Sequence, residues 1–130
     1  MNPLTVVPAA PGQAWAVGSD GNILRTTDAG ANWSHQETAS VAQLNGIAFT
    51  DDSTGCVVGA QGLILRTTDA GRHWSVIKTG IHSSLQAVTF VNHRTGWAVG
   101  GYGAVLRTDD AGASWTYQDT KKEYQGFRSD

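Results

Sequence analysis

Three arginines, Arg25, Arg66 and Arg107, recur at one spacing, each directly after an apolar pair: Ile23-Leu24, Ile64-Leu65 and Val105-Leu106. Guanidinium groups presented at one repeated position would make a cationic ring for acidic protein, phosphate or carboxylate ligands, because each planar fork donates paired hydrogen bonds to such anions. The plainer reading pairs each arginine with an acidic group or carbonyl of its own repeat. Recurrence at a single structural position favours that structural role.

The other reactive side chains organise less. His35, His73, His82 and His93 show no metal-ligand spacing. His73 falls in a variable turn position, matched by Asn32 and Ser114 in the other copies. Asp20, Asp51-Asp52 and Asp109-Asp110 sit in turns. No loop supplies the dense oxygen set that calcium requires, so turn chemistry accounts for them and no metal or cofactor is expected. Cys56 is the single cysteine, which excludes an internal disulfide. It stands where Trp15 and Trp97 stand in the other copies, and a buried packing role is expected for it. Trp15 and Trp97 lie among apolar neighbours, which favours packing over a ligand platform.

These residues are carried by a repeat. Leu24-Arg25-Thr26-Thr27-Asp28-Ala29-Gly30-Ala31-Asn32-Trp33 returns at Leu65 to Trp74 and at Leu106 to Trp115, with a constant period of 41 residues. A period of this length signals a solenoid, a propeller or another array. The period reaches upstream through Gly18, Gly59 and Gly100, through Val17, Val58 and Val99, and through Val6, Ile47 and Val88. Within the motif, Asp28, Asp69 and Asp110 can accept hydrogen bonds from backbone N–H groups that a tight turn leaves unpaired. Gly30, Gly71 and Gly112 suit positive φ, and Trp33, Trp74 and Trp115 open a strand where the ring can lie across the turn or between sheets.

Each repeat holds four short strands with tight turns between them. The second is the clearest: 44–50, 55–59, 63–67 and 73–78 alternate with polar or glycine turns. In the first, Pro3 and Pro8 confine the strand over 4–7 to an edge or an end. The chain divides as blade one over 4–38, blade two over 44–79, blade three over 85–119 and a tail over 121–130, together one module over 1–130. In the tail, Tyr124-Gln125-Gly126-Phe127 resembles Leu44-Asn45-Gly46-Ile47, and is either the start of another first strand or an end outside the repeat. The 130 residues include 16 glycines and 5 tryptophans with only 15% charged residues, a composition suited to an all-β domain. A net charge of -2 argues against a nucleic-acid binder. No run approaches the roughly 20 apolar residues of a membrane helix, so no membrane insertion is expected. Met1-Asn2-Pro3-Leu4 lacks the basic start and apolar run of a signal peptide, and the compartment is left open.

Thr-x-Asp-x-Gly-x-x-Trp fits the Asp-box pattern, and the repeats resemble the Asp-box, or bacterial neuraminidase repeat, β-propellers. The run from Thr95-Gly96-Trp97-Ala98-Val99-Gly100 through Trp115 looks most like the photosystem II stability and assembly factor family, with Gln13 to Gly18 and Thr54 to Gly59 as its other copies. The resemblance covers residues 4–120. It implies a non-enzymatic propeller that binds membrane-protein subunits during assembly and carries about seven blades in its usual member. Sialidases also combine Asp boxes with an arginine cluster, but their nucleophilic Tyr and its acid sit in non-repeated loops. The only glutamates here are Glu37 and Glu123, so catalysis is not expected.

Propellers close with about four to eight blades, and three leave two open sheet faces that favour association. The expected solution is a homodimer forming a six-bladed ring; a fragment of a longer chain and a compact three-blade fold are the alternatives. The reading is a scaffold that binds protein partners. Its alternatives are a glycan-binding lectin or sialidase-like propeller, and a structural repeat in a filament or viral particle.

Overall fold

A computed structural model describes residues 5–10, 12–18, 21–36, 43–51 and 53–118. The tail over 121–130, with Tyr124 to Phe127, lies outside the described residues, as do Asp20, Glu37, Asp52 and Glu123. The described chain is all-β, with three antiparallel sheets of four strands, each a simple meander and each one blade of a propeller. Blade one is β1 (Thr5–Ala10), β2 (Gln13–Val17), β3 (Ile23–Thr26) and β4 (Ser34–Gln36). Blade two is β5 (Leu44–Phe49), β6 (Gly55–Gly59), β7 (Ile64–Thr67) and β8 (Ser75–Ile77). Blade three is β9 (Leu85–Phe90), β10 (Gly96–Gly100), β11 (Val105–Thr108) and β12 (Thr116–Gln118).

The register repeats with the sequence. Trp15 faces Arg25 across β2 and β3, Cys56 faces Arg66, and Trp97 faces Arg107. β1 runs further than the prolines suggest: it continues through Pro8, which pairs with Ala14, and bends at a register shift between Pro8 and Ala10. It remains an end strand of its sheet, the position that spares a proline from breaking the ladder. A single 3₁₀ turn at Ala60–Gly62, and another at Gly101–Gly103, joins the second and third strands of blades two and three.

Because strand side chains alternate, each blade has two faces. One face looks forward to the next blade: Trp15, Val17 and Ile23 in blade one, Cys56, Val58 and Ile64 in blade two. The other looks back. The core is therefore two junctions. In the first, Trp15, Val17 and Ile23 pack on Leu44, Ile47, Val57 and Leu65, with Phe49 and Trp74 against them. In the second, Cys56, Val58 and Ile64 pack on Leu85, Ala98 and Leu106, with Phe90 and Trp115 against them. The first strands meet at the centre, where β5 packs against both β1 and β9. Cys56 is fully buried, and desolvation pushes its thiol up to about 12, so it is a small packing group and not a nucleophile.

Candidate functional site

The Asp boxes form the turns between third and fourth strands, and their hub is the threonine before the aspartate. The Thr67 hydroxyl, buried at the end of β7, accepts the Gly71 N–H at 2.9 Å and donates to Asp69 Oδ1 at 2.8 Å. Asp69 Oδ1 in turn accepts the His73 N–H at 2.9 Å. Thr26 with Asp28, and Thr108 with Asp110, repeat these bonds. Sequence reasoning credited the aspartate and missed this hub, although the threonine is unchanged in all three copies. It also missed that both central turn residues have positive φ: Ala29, Ala70 and Ala111 at 60–61°, then Gly30, Gly71 and Gly112 at 87–90°. That pair of left-handed residues is the type I′ pattern, whose twist suits a hairpin. Each alanine N–H is held by the turn between first and second strands of its own blade, at Gly12, Ser53 or Arg94, always at 2.9 Å.

Hydrogen bonding holds the box carboxyls ionised. The Ser114 hydroxyl chiefly lowers Asp110 to about 2. The His73 side chain holds Asp69 well below the ordinary carboxylate range, and Asn32 does the same for Asp28 to a lesser degree. All three carboxylates are occupied with their own turns.

The arginines take three different roles. Arg66 donates from Nε to the Ala111 carbonyl at 3.1 Å, a bond to the next blade and not, as the sequence reading had it, within its own. Arg107 pairs with Asp109 at 3.1 Å and lies 5.8 Å from the Trp97 ring centre. Arg25 lies 5.3 Å from the Trp15 ring centre, and its Nε is buried with no hydrogen-bond partner among the described residues. A buried donor left unpaired is costly and calls for an explanation, such as a ligand or a water.

Arg25 stands in the wall of a cavity of about 430 Å³. It opens near the centre, at the end of the sheets where β5 and β9 finish and β2 begins. Arg25, Trp15, Phe49 and Phe90 line it together with Thr89 and Asp51. Of the three arginines only Arg25 reaches it, so the expected cationic ring is reduced here to one guanidinium. Asp51 is turned to its own loop, accepting the Ser53 and Thr54 N–H groups at 2.8 Å each, which lower its pKa. The arrangement can hold an extended polar segment: aromatic walls for its apolar atoms and a partly satisfied cation for a carboxylate. Among the described residues no group of His, Cys, Asp or Glu is arranged to hold a metal ion, and no helix is long and apolar enough to cross a membrane.

The family model described as "Photosynthesis system II assembly factor YCF48" matches residues 2–68 and, in an overlapping match, residues 38–128. The chain belongs to the YCF48 family. A solved structure of YCF48 from Cyanidioschyzon merolae aligns with a TM-score of 0.73 at 25% identity, covering 88% of this chain and 39% of that one. A structure of YCF48 bound to D1 peptide aligns with a TM-score of 0.72 at 23% identity, covering 92% of this chain and 44% of that one. This chain thus spans less than half the length of the YCF48 structures it matches. No curated protein sequence matches it significantly.

Proposed function

We propose that this chain is a non-enzymatic protein-binding propeller module of photosystem II assembly, whose cavity beside Arg25 takes a peptide segment bearing a carboxylate. The observation that carries the reading is Arg25, whose Nε has no hydrogen-bond partner among the described residues, in the wall of an aromatic-lined cavity. Membership of the YCF48 family and the fold shared with a YCF48 bound to D1 peptide support it. Arg25 is held in place by Trp15, so little rotamer entropy is lost when a carboxylate arrives. The same reading makes a second copy of the chain a partner, since three blades are half of a six-bladed ring.

The test is titration of a fluorescently labelled D1 peptide. Saturable binding is expected, with Arg25→Ala weakening it about tenfold, the loss of one charge-assisted hydrogen bond. No binding by the unaltered protein would overturn the reading. Binding indifferent to Arg25→Ala would remove the peptide from this cavity.

A further inference from the structure

The two internal junctions set the same arginine against two different strand-two residues, and the arginine goes two ways. Across β6 and β7, Arg66 faces Cys56. It passes that small side chain and donates from Nε to the Ala111 carbonyl, in the Asp-box turn of the next blade, at 3.1 Å. Across β2 and β3, Arg25 faces Trp15. The matching acceptor in the next blade is the Ala70 carbonyl. Arg25 does not use it: its Nε has no hydrogen-bond partner among the described residues, and its guanidinium lies over the Trp15 ring, 5.3 Å from the centre. Both arginines follow Ile-Leu and precede Thr-Thr-Asp-Ala-Gly, so local sequence does not make the difference.

What stands between arginine and carbonyl does. In each junction the glycine after the acceptor alanine carries the strand-two side chain of the preceding blade. A methyl built on Gly112 would overlap the Cys56 sulfur, and one built on Gly71 would overlap the Trp15 ring. Over Gly112 stands a single sulfur, and the Ala111 carbonyl beside it stays open to Arg66. Over Gly71 stands an indole, three of whose ring carbons crowd that position. The indole is 2% exposed, stacked on Phe49 and met edge-on by Trp74, so it is not free to swing off the turn.

We infer that Trp15 is the positioning residue of the peptide site: its indole covers the Ala70 carbonyl that would otherwise take Arg25, and its face holds the guanidinium at the cavity wall. This deepens the peptide-binding reading and rests on it for the ligand. A guanidinium bonded to a backbone carbonyl has its Nε–H satisfied and one donor fewer for a carboxylate. Stacked on an indole, it keeps its in-plane donors while the ring covers one face. The cysteine junction is the same arrangement closed by its own arginine, and Arg66 accordingly does not line the cavity.

A crystal structure of the Trp15→Cys protein and titration of the labelled D1 peptide together test this. In the variant Arg25 is expected to turn, with Nε about 3 Å from the Ala70 carbonyl. Peptide affinity falls about tenfold, as for Arg25→Ala. Adding Arg25→Ala to Trp15→Cys costs nothing further, because both changes remove one interaction. Trp15→Phe keeps an aromatic face over the turn and binds within about threefold of the unaltered protein. If Trp15→Cys fails to fold, as judged by near-UV circular dichroism, Trp15→Leu takes its place with the same outcomes expected, since it fills more space but has no ring face to hold a cation. Losses that multiply to about a hundredfold overturn the inference, because Trp15 then contacts the peptide itself. So does an Arg25 left in place in the variant, an affinity unchanged by Trp15→Cys, or a Trp15→Phe protein as weak as Trp15→Cys. The crystal structure needs no peptide. An unaltered protein that binds none overturns the binding reading, and the place of Arg25 in the variant still decides whether Trp15 directs it.

Discussion

The two internal junctions solve one packing problem with very different side chains. In the first, Trp15 stacks on Phe49 with ring centres 4.7 Å apart and meets Trp74 edge-on at 6.1 Å. In the second, Cys56 holds the same place, and the neighbouring aromatics are Phe90 and Trp115, 6.3 Å apart. The smaller side chain comes with better hydrogen bonding: Trp115 donates to the Gly112 carbonyl at 3.0 Å and Arg66 to the Ala111 carbonyl. In the tryptophan junction their counterparts, Trp74 Nε1 and Arg25 Nε, are buried without hydrogen-bond partners among the described residues. Aromatic burial thus stands in for hydrogen bonds there. The indole of Trp15 holds Arg25 against its face, leaving that arginine to the cavity where Arg66 is committed to the backbone. The junction that is less well satisfied is the one next to the candidate site, as is common where a fold serves a ligand.

The sharpest way to break this contrast is to convert one junction into the other. Trp15→Cys is expected to destabilise by about 3–5 kcal/mol, the range for emptying a large buried aromatic site, since the cavity left behind outweighs any bond regained by Trp74 or Arg25. Equilibrium urea unfolding reads this, and a change below about 1 kcal/mol would mean that the aromatic cluster is not the main support. Next in size, Gly71→Ala should cost about 2–4 kcal/mol, combining left-handed strain with overlap on Trp15. Gly30→Ala, at nearly the same φ but with only Nε1 of Trp33, at 3.9 Å, near the added methyl among the described residues, should cost only the strain, about 1–2 kcal/mol. Equal losses at the two sites would show that the turn alone, and not the junction, demands glycine.

The smallest effect is the pH dependence of the boxes. Asp110 titrates at about 2 in the folded chain against an ordinary 3.8, and Asp28 and Asp69 are also lowered. In the window below 3.8 the unfolded chain binds these protons first, so the unfolded state gains more protons than the folded one. The stabilisation is therefore complete above the unfolded value and fades as pH falls through the folded one. The melting temperature should decline between about pH 4 and about pH 2. The carboxylates are solvent-facing, which keeps the decline modest. A melting temperature flat across that interval would mean that the turns do not hold their carboxylates as described.

The period, the four strands per blade and the family resemblance were all legible in the residues. Thr67, Asp69, Gly71 and His73 bond to one another across four residues at most, so their chemistry is visible in any seven-residue window. The prolines pointed to an edge strand, but the passage of β1 through Pro8 was not legible, because how far an end strand pairs past a missing donor depends on the partner strand. Nor were the separate fates of Arg25 and Arg66, identical in their local sequence; Arg107 differs in having Asp109, its ion-pair partner, where the others have Thr27 and Thr68. The repeat alone determined the blades and their turns, since those arise from contacts short in sequence. Tertiary structure decided which faces are covered and which arginine stays free. Arg66 is satisfied by a carbonyl 45 residues away, and Arg25 is left unsatisfied beside a tryptophan where the next junction has a cysteine. A repeated residue meets a different neighbour in each blade, and the neighbour sets its role.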